Sequence, residues 1–425
     1  MIQVLKTSWA LLLGIMLLMV GNGVQGTLLG IRGSIEGFSP LQMSFVMSAY
    51  FVGFLFGSRM APEMIRRVGH VRVFAALGSL ISAVLILYAA IPDWIVWAIL
   101  RVLIGFCFAG VYVTAESWLN NAASNENRGQ ALSLYMIVQM IGIIAAQTLI
   151  NFADPAGFLL FVIPSVLVSL AFAPILLSVT PAPTFGTTRS MTIVELYNTS
   201  PLGVVGVFLM GGVFAAMLGM TAVWGSAAGL SIFEISVFTG AIYVGGLVFQ
   251  YPIGWLSDKL DRRRLLVALL VIGSASAFAP IVFSLNFPWL VGVAVMIGGI
   301  ANPVYSLLVA YTNDYLEQDQ MAAASGGLLF VNGVGAILGP LGIGWLMGVV
   351  GPSGFFLVIS ALTGLLAIYG IWRMSRRPAP LVADTGPFAP VSPIVSAATV
   401  QGVYAELYEQ EAQEQAAIDH DAKQD

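Results

Sequence analysis

The chain has 425 residues, of which 58% are hydrophobic and only 9% charged, with a mean hydropathy of +0.92 and a net charge of −4. Soluble proteins carry about a quarter charged residues, so this composition excludes a soluble globular domain and indicates an integral membrane protein. Lipid admits only helices or closed barrels, because unpaired backbone groups cannot be solvated there. The apolar runs are uninterrupted and of helical length, which excludes the barrel. Cys107 is the only cysteine, so no internal disulfide can form, and no Cys/His cluster suggests a metal.

A membrane span needs about 20 mostly apolar residues. In chain order such runs fall at 8–30, 41–60, 72–91, 94–118, 129–152 and 156–179, then, after a polar connector, at 201–225, 234–256, 264–284, 287–311, 322–349 and 353–373. The first run, preceded by Lys6 and followed by Val24-Gln25-Gly26, also fits a secretory leader, but its removal would leave an odd number of spans. With the N-terminus inside, every Lys and Arg except Arg32, Arg101 and Lys423 lies at a cytoplasmic end. This matches the positive-inside bias in both count and direction. Trp9, Trp94, Trp97, Trp118, Trp224, Trp255, Trp289 and Trp372 sit near span ends, as an interfacial belt requires.

In the fourth span Arg101 stands about two turns from the outer end, followed by Gly105 and Gly110. A buried cation is costly unless paired or hydrated, so Arg101 is expected to face a central cavity; snorkelling to the outer headgroups is the alternative. Glu116, near the inner end of the same span, is the one carboxylate placed clearly within a span. It is a candidate either for carrying a coupling proton, its pKa raised by desolvation, or for latching to Arg128 or to the cations between Arg66 and Arg72. The uncharged polar groups Asn22 and Gln25 (first span), Thr221 (seventh) and Asn302 and Tyr305 (tenth) complete the set that could line such a cavity; singly, each is equally able to make an interhelical hydrogen bond.

The 180–200 connector contains Pro181, Pro183 and Gly186, and Thr192 to Asn198 can form one or two amphipathic turns. Past the eighth span comes Gly254-Trp255-Leu256-Ser257-Asp258-Lys259-Leu260-Asp261-Arg262-Arg263-Arg264. This resembles the signature of the loop between helices 2 and 3 of each half of the major facilitator superfamily of transporters, with Asp261 where a Gly is usual. Gly254 would allow close helix contact, Asp258 would sit at the positive N-terminal end of a neighbouring helix, and Arg262 and Arg263 would pair with nearby acids to form a gate. The first-half counterpart is degenerate, because Arg66 stands where the signature has Asp. The Arg101 to Gly110 segment resembles the superfamily's intramembrane Arg motif.

The resemblance spans roughly 8–377. It implies an all-α membrane protein with twelve transmembrane helices in two six-helix pseudo-symmetric halves: residues 1–179, the cytoplasmic connector 180–200 and residues 201–377. After Arg377 the chain becomes Pro-rich and then acidic, a composition that reads as a disordered acidic cytoplasmic tail at 378–425. The resemblance also implies a secondary transporter, not an enzyme, that moves a small-molecule solute by rocking the halves about a central site. The setting would be a bacterial inner membrane with both termini cytoplasmic. The expected partners are the solute, the lipid bilayer and protons as a candidate coupling ion, with no nucleic acid, cofactor or metal, and the chain is expected to act as a monomer. A lipid flippase or scramblase, or a non-transporting sensor on the same scaffold, are the alternatives. The fifth span lacks the Gly-Pro motif of the antiporter branch, the connector lacks the sugar-porter signature, and no Walker loop supports a primary pump.

Overall fold

Ser39, Asp93, Ser231 and Asn286 each accept a backbone N–H of the helix they precede, satisfying donors that a helix start otherwise leaves orphaned. The computed structural model describes residues 2–122, 128–176, 191–283, 286–376, 386, 388–391, 400 and 404. Its helices are α1 Ile2–Ile35, α2 Pro40–Val68, α3 His70–Ala90, α4 Trp94–Ala122, α5 Arg128–Leu149, α6 Leu159–Leu176, the short connector helix α7 Ile193–Thr199, α8 Pro201–Ala215, α9 Thr221–Ala227, α10 Ile232–Ser257, α11 Arg262–Val282, α12 Phe287–Asn313, α13 Gln318–Val350 and α14 Ser353–Met374. A π-helical turn, Ala216–Met220, joins α8 to α9, so the two make one span. Among the described residues eleven helices are long and apolar enough to cross a membrane, and the apolar helix Leu159–Pro174 is the shorter twelfth.

Each expected span is present, with one notable extension. The helix expected at 41–60 continues as α2 through Pro62 and the basic residues to Val68. Gly69, at φ 85°, is the sole break before α3, a backbone conformation that glycine adopts without steric cost. In the connector, α7 opens on a capping box in which Thr192 and Glu195 satisfy each other's backbone, and Leu196 is fully buried. The rest of 180–190 lies outside the described residues.

The two halves repeat one packing device. A Cβ on Gly53 would strike the Val102 carbonyl and one on Gly105 the Tyr50 carbonyl, so α2 and α4 meet backbone to backbone. Gly245 against Val295 and Gly298 against Ile242 bring α10 and α12 together in the same way. The offset is constant to within one position, from Ser39 to Ser231, Gly53 to Gly245, Asp93 to Asn286 and Gly105 to Gly298. Small residues carry these contacts because lipid gives helices no hydrophobic reason to associate, leaving close van der Waals approach to do so. Serines add a second repeat: Ser82 bonds Ser165 between α3 and α6 (2.8 Å), and Ser274 bonds Ser360 between α11 and α14 (3.2 Å).

Contacts between the halves are uneven along the membrane normal. At the end away from the basic residues, Gly30 of α1 is pressed against Ala222 of α9, and Gly344 of α13 against Ser44 of α2. Ser48 donates to the Ile337 carbonyl at 2.7 Å, continuing the α2 to α13 seam. Toward the basic end α5 and α10 enclose a void of about 160 Å³. The α1–α9 and α2–α13 seams are therefore closed at the end away from the basic residues, and a gap lies between α5 and α10 toward the basic end.

Candidate functional site

The gap leads to the centre of the bundle. There Asn22 (α1), Tyr50 (α2), Gln139 (α5), Tyr243 (α10) and Asn302 (α12) line a cavity of about 30 Å³ together with Met136, Met140, Ile143, Phe214 and Leu218. Solute sites usually span about 300–1,000 Å³, so the helices are drawn in around this one. Asn22 Nδ2 donates to the Tyr112 hydroxyl at 3.0 Å, and Gln25 Nε2 donates to Asn22 Oδ1 at 3.0 Å. Asn302 Nδ2 reaches the Gly298 carbonyl of its own helix at 3.2 Å. The Tyr50 hydroxyl and Gln139 Nε2 are buried without a hydrogen bond of ordinary geometry. A buried polar atom left unpaired costs about 1–3 kcal/mol, so these two are groups that a bound solute can satisfy.

The six expected cavity residues divide. Asn22 and Asn302 line the cavity, and Gln25 stands behind Asn22. Thr221 instead returns its hydroxyl to the Met217 carbonyl at 2.9 Å, within its own helix at the π turn. Tyr305 is buried in α12 but does not line the cavity. Arg101 is not at the cavity wall either. It is 3% exposed, so the snorkelling alternative does not hold. Its Nη2 lies 3.2 Å from Met47 Sδ and its guanidinium 5.1 Å from the Tyr50 ring centroid, one layer behind the cavity. Its Nε has no hydrogen-bond partner, and among the described residues no carboxylate pairs with it.

Glu116 is 1% exposed and accepts from the Tyr135 hydroxyl at 3.0 Å. Of its expected partners, Arg66 and Arg67 are instead paired with Glu63 on their own helix, and the Arg128 side chain lies outside the described residues.

The loop motif is assembled differently from the expectation. Asp258 caps the C-terminus of its own helix α10, and Asp261 caps the start of α11; among the described residues, the partners of the Asp258 carboxylate are Arg262 and the Phe388 N–H. Arg262 makes the buried pair of the region, donating from Nη1 to Asp314 Oδ1 at 2.5 Å, with Asp258 Oδ1 3.5 Å away. Asp314, just past the end of α12, was not singled out by the sequence. Burial holds its carboxyl above the usual aspartate range, and the Arg262 charge opposes that shift. Arg263 pairs with Asp261 at 3.4 Å. Asp258, Asp261 and Asp314, the described carboxylates with which these two arginines pair, all lie in the C-terminal half. Gly254 does not admit a helix: a Cβ there would lie 2.7 Å from the Phe388 ring of the tail.

That tail residue belongs to a segment expected to be disordered. The described part of it is instead seated on the C-terminal half, with Ala389, Val391, Val400 and Tyr404 each at most 5% exposed. The Phe388 N–H donates to Asp258 Oδ1 at 3.0 Å and the Gly386 N–H to Asp314 Oδ1 at 3.2 Å. Most of 378–425 lies outside the described residues.

A model of the Major Facilitator Superfamily matches residues 11–246 and 202–407, which together cover most of the chain. The MFS-type transporter YcaD of Escherichia fergusonii is 27% identical over 372 residues, covering 83% of this chain and 92% of that protein. YcaD of Escherichia coli O6:K15:H31 is 26% identical over 390 residues, covering 87% and 97%. Among solved structures, the nucleoside transporter NupG superposes with a TM-score of 0.71 at 14% identity, over 87% of this chain and 100% of that one. A bacterial homologue of the human lysosomal transporter Spinster, in an inward-facing and occupied conformation, gives 0.70 at 16%, over 90% and 98%. With two six-helix halves, a cavity between them and a family match along both, the chain belongs to the Major Facilitator Superfamily of membrane transporters.

Proposed function

We propose that this transporter moves a small, uncharged, hydrogen-bonding solute with an apolar or aromatic body by alternating access about the central cavity. The observation that carries this reading is the lining itself. Five helices from both halves supply amide and phenol groups, two of them without a hydrogen bond of ordinary geometry, among methionine and phenylalanine, and no Asp, Glu, Lys or Arg. Such a wall hydrogen-bonds a neutral polar solute and offers nothing to neutralise a formal charge. The cations at one end set the orientation, placing that end, the 180–200 connector and both termini on the cytoplasmic side of a bacterial inner membrane, with the protein acting as a monomer.

Solutes that raise the thermal midpoint of the purified protein are the ones to take into vesicle uptake. Tyr50→Phe combined with Gln139→Leu is expected to lower uptake at least about tenfold, by loss of one or two hydrogen bonds at about 1.4 kcal/mol per tenfold, without lowering the thermal midpoint. Uptake at the parent rate would overturn the assignment of the cavity.

Protons are the coupling ion this reading favours, carried by Glu116, a carboxylate buried in α4 that accepts from the Tyr135 hydroxyl. Glu116→Gln is expected to keep solute exchange and to lose accumulation driven by an imposed pH gradient. Retention of gradient-driven accumulation would remove Glu116 from coupling.

A lipid-like solute is a second reading, favoured by one observation. A groove of about 410 Å³ between α5 and α10, at the end away from the cations, places Gln147, Thr148, Asn151 and Ser236 beside the exposed Phe152 and Phe233. Polar groups in an apolar membrane-facing cleft suit a headgroup and an acyl chain, and flipping of a fluorescent phospholipid in vesicles of the pure protein distinguishes the two readings.

A further inference from the structure

Ser306 lies seven residues before the basic end of α12 at Asn313, and Gln250 seven residues before the corresponding end of α10 at Ser257. At about 1.5 Å per residue each is roughly 10 Å inside the bundle. Val391 reaches that depth. Its N–H donates to Ser306 Oγ at 3.0 Å, Ser306 Oγ lies 3.0 Å from the Val391 carbonyl, and Gln250 Nε2 donates to the same hydroxyl at 3.0 Å.

The described residues Phe388 to Val391 carry no helix. Non-helical backbone is tolerated at membrane depth only where it is buried in protein or lines an aqueous cavity. Both conditions meet here. Ala389 is fully buried and Val391 4% exposed, and Pro390 and Val391 form part of the wall of the 160 Å³ void between α5 and α10. That void shares Met136, Met140 and Asn302 with the central cavity. Nearer the surface the segment is held by Asp258, by Asp314, and by Arg262, whose Nη2 donates to the Gly386 carbonyl.

We propose that Gly386 and Phe388 to Val391 form an autoinhibitory plug: the chain's own tail, anchored on the Asp258, Arg262 and Asp314 cluster, stops the vestibule leading to the cavity and wedges α5 away from α10. While it is seated, solute cannot pass to or from the basic face, and that face cannot close as alternating access requires. Release of the tail licenses the cycle. The cluster that was expected to form a gate by pairing with nearby acids acts here by holding the plug. This inference rests on the transport reading for its meaning, but its test uses no solute.

The probe is a negatively charged thiosulfonate reagent reacting with a single cysteine at Met140→Cys, in the full chain with Cys107→Ala, reconstituted in nanodiscs that expose both faces. Modification is read by mass spectrometry of the Met140 peptide. Ala389→Glu places a carboxylate at a fully buried tail position, which should expel the plug and raise the labelling rate about tenfold or more. The opposite arm adds Ser306→Cys and Val391→Cys. Their disulfide should form on mild oxidation and slow Met140→Cys labelling about tenfold below the unlinked parent, with recovery on reduction. An unchanged rate in a monodisperse Ala389→Glu protein overturns the plug. So does a disulfide that fails to form or that forms without slowing the reaction, and this arm decides the matter if Ala389→Glu does not fold. Neither arm depends on which solute is carried or on whether transport occurs, so failure of the solute assignment leaves the result readable.

Discussion

Asp314→Ala is expected to destabilise the protein by about 3–5 kcal/mol, the cost of leaving one partner of a buried ion pair uncompensated. The side chains of Arg262 and Asp314 are 3% and 2% exposed, so water cannot replace the lost carboxylate. Arg262 would retain Ser257 and the Gly386 carbonyl as neutral acceptors, and the half-exposed Asp258 carboxylate, 3.5 Å away, compensates its charge only weakly. Asp258→Ala removes a carboxylate whose side chain is 49% exposed and stands 3.5 Å from the same arginine, and exposed partners of this kind contribute about 0–1 kcal/mol. Thermal unfolding in detergent should therefore show a large drop for Asp314→Ala and a small one for Asp258→Ala. The double variant Arg262→Met/Asp314→Ala should recover much of the loss, because removing both charges together also removes their desolvation cost. Equal effects of the two single aspartate substitutions would mean that Arg262 is not committed to Asp314.

Arg101→Met is expected to abolish solute exchange, by about a hundredfold or more, while leaving stability unchanged or raised. A guanidinium with no carboxylate partner among the described residues, set over the Tyr50 ring and against Met47, costs several kcal/mol to hold in the membrane, and an apolar side chain of similar length fills the space without that cost. What Arg101 supplies is the position and polarisation of Tyr50, whose hydroxyl lines the cavity. Arg101→Lys should not restore exchange, since an ammonium lacks the planar face that stacks on an aromatic ring. Uptake and thermal unfolding measured on the same preparations separate the two effects. A variant that loses both would reduce Arg101 to a structural residue, and one that loses neither would remove it from the transport machinery.

The sequence by itself determined the spans and their repetition, and its cations carry the proposed direction. Apolar length, cation position and capping are local properties: Ser231 caps α10 through residues within three positions of itself, and the run before Asp258 reads as a membrane segment whatever packs on it. The tertiary structure decided which faces meet. Lipid is as apolar as leucine, so a membrane helix need not be amphipathic, and no periodicity separates its buried face from its lipid face. Tyr50 and Tyr243 therefore passed as ordinary members of apolar runs until the fold set them opposite Asn22 and Asn302. Thr221 looked like a cavity residue until a π turn directed its hydroxyl back to Met217.

The charges behave likewise. A motif records that Arg262 needs an acid, but its partner Asp314 is 52 positions away, a distance over which spacing carries no geometric information. The tail shows the same limit most clearly. Its proline-rich and then acidic composition indicates a solvated segment, and nothing local contradicts that. Only the folded bundle, with a gap between α5 and α10 and carboxylates at Asp258 and Asp314 that accept the Phe388 and Gly386 N–H groups, gives Ala389 and Val391 a place to be buried.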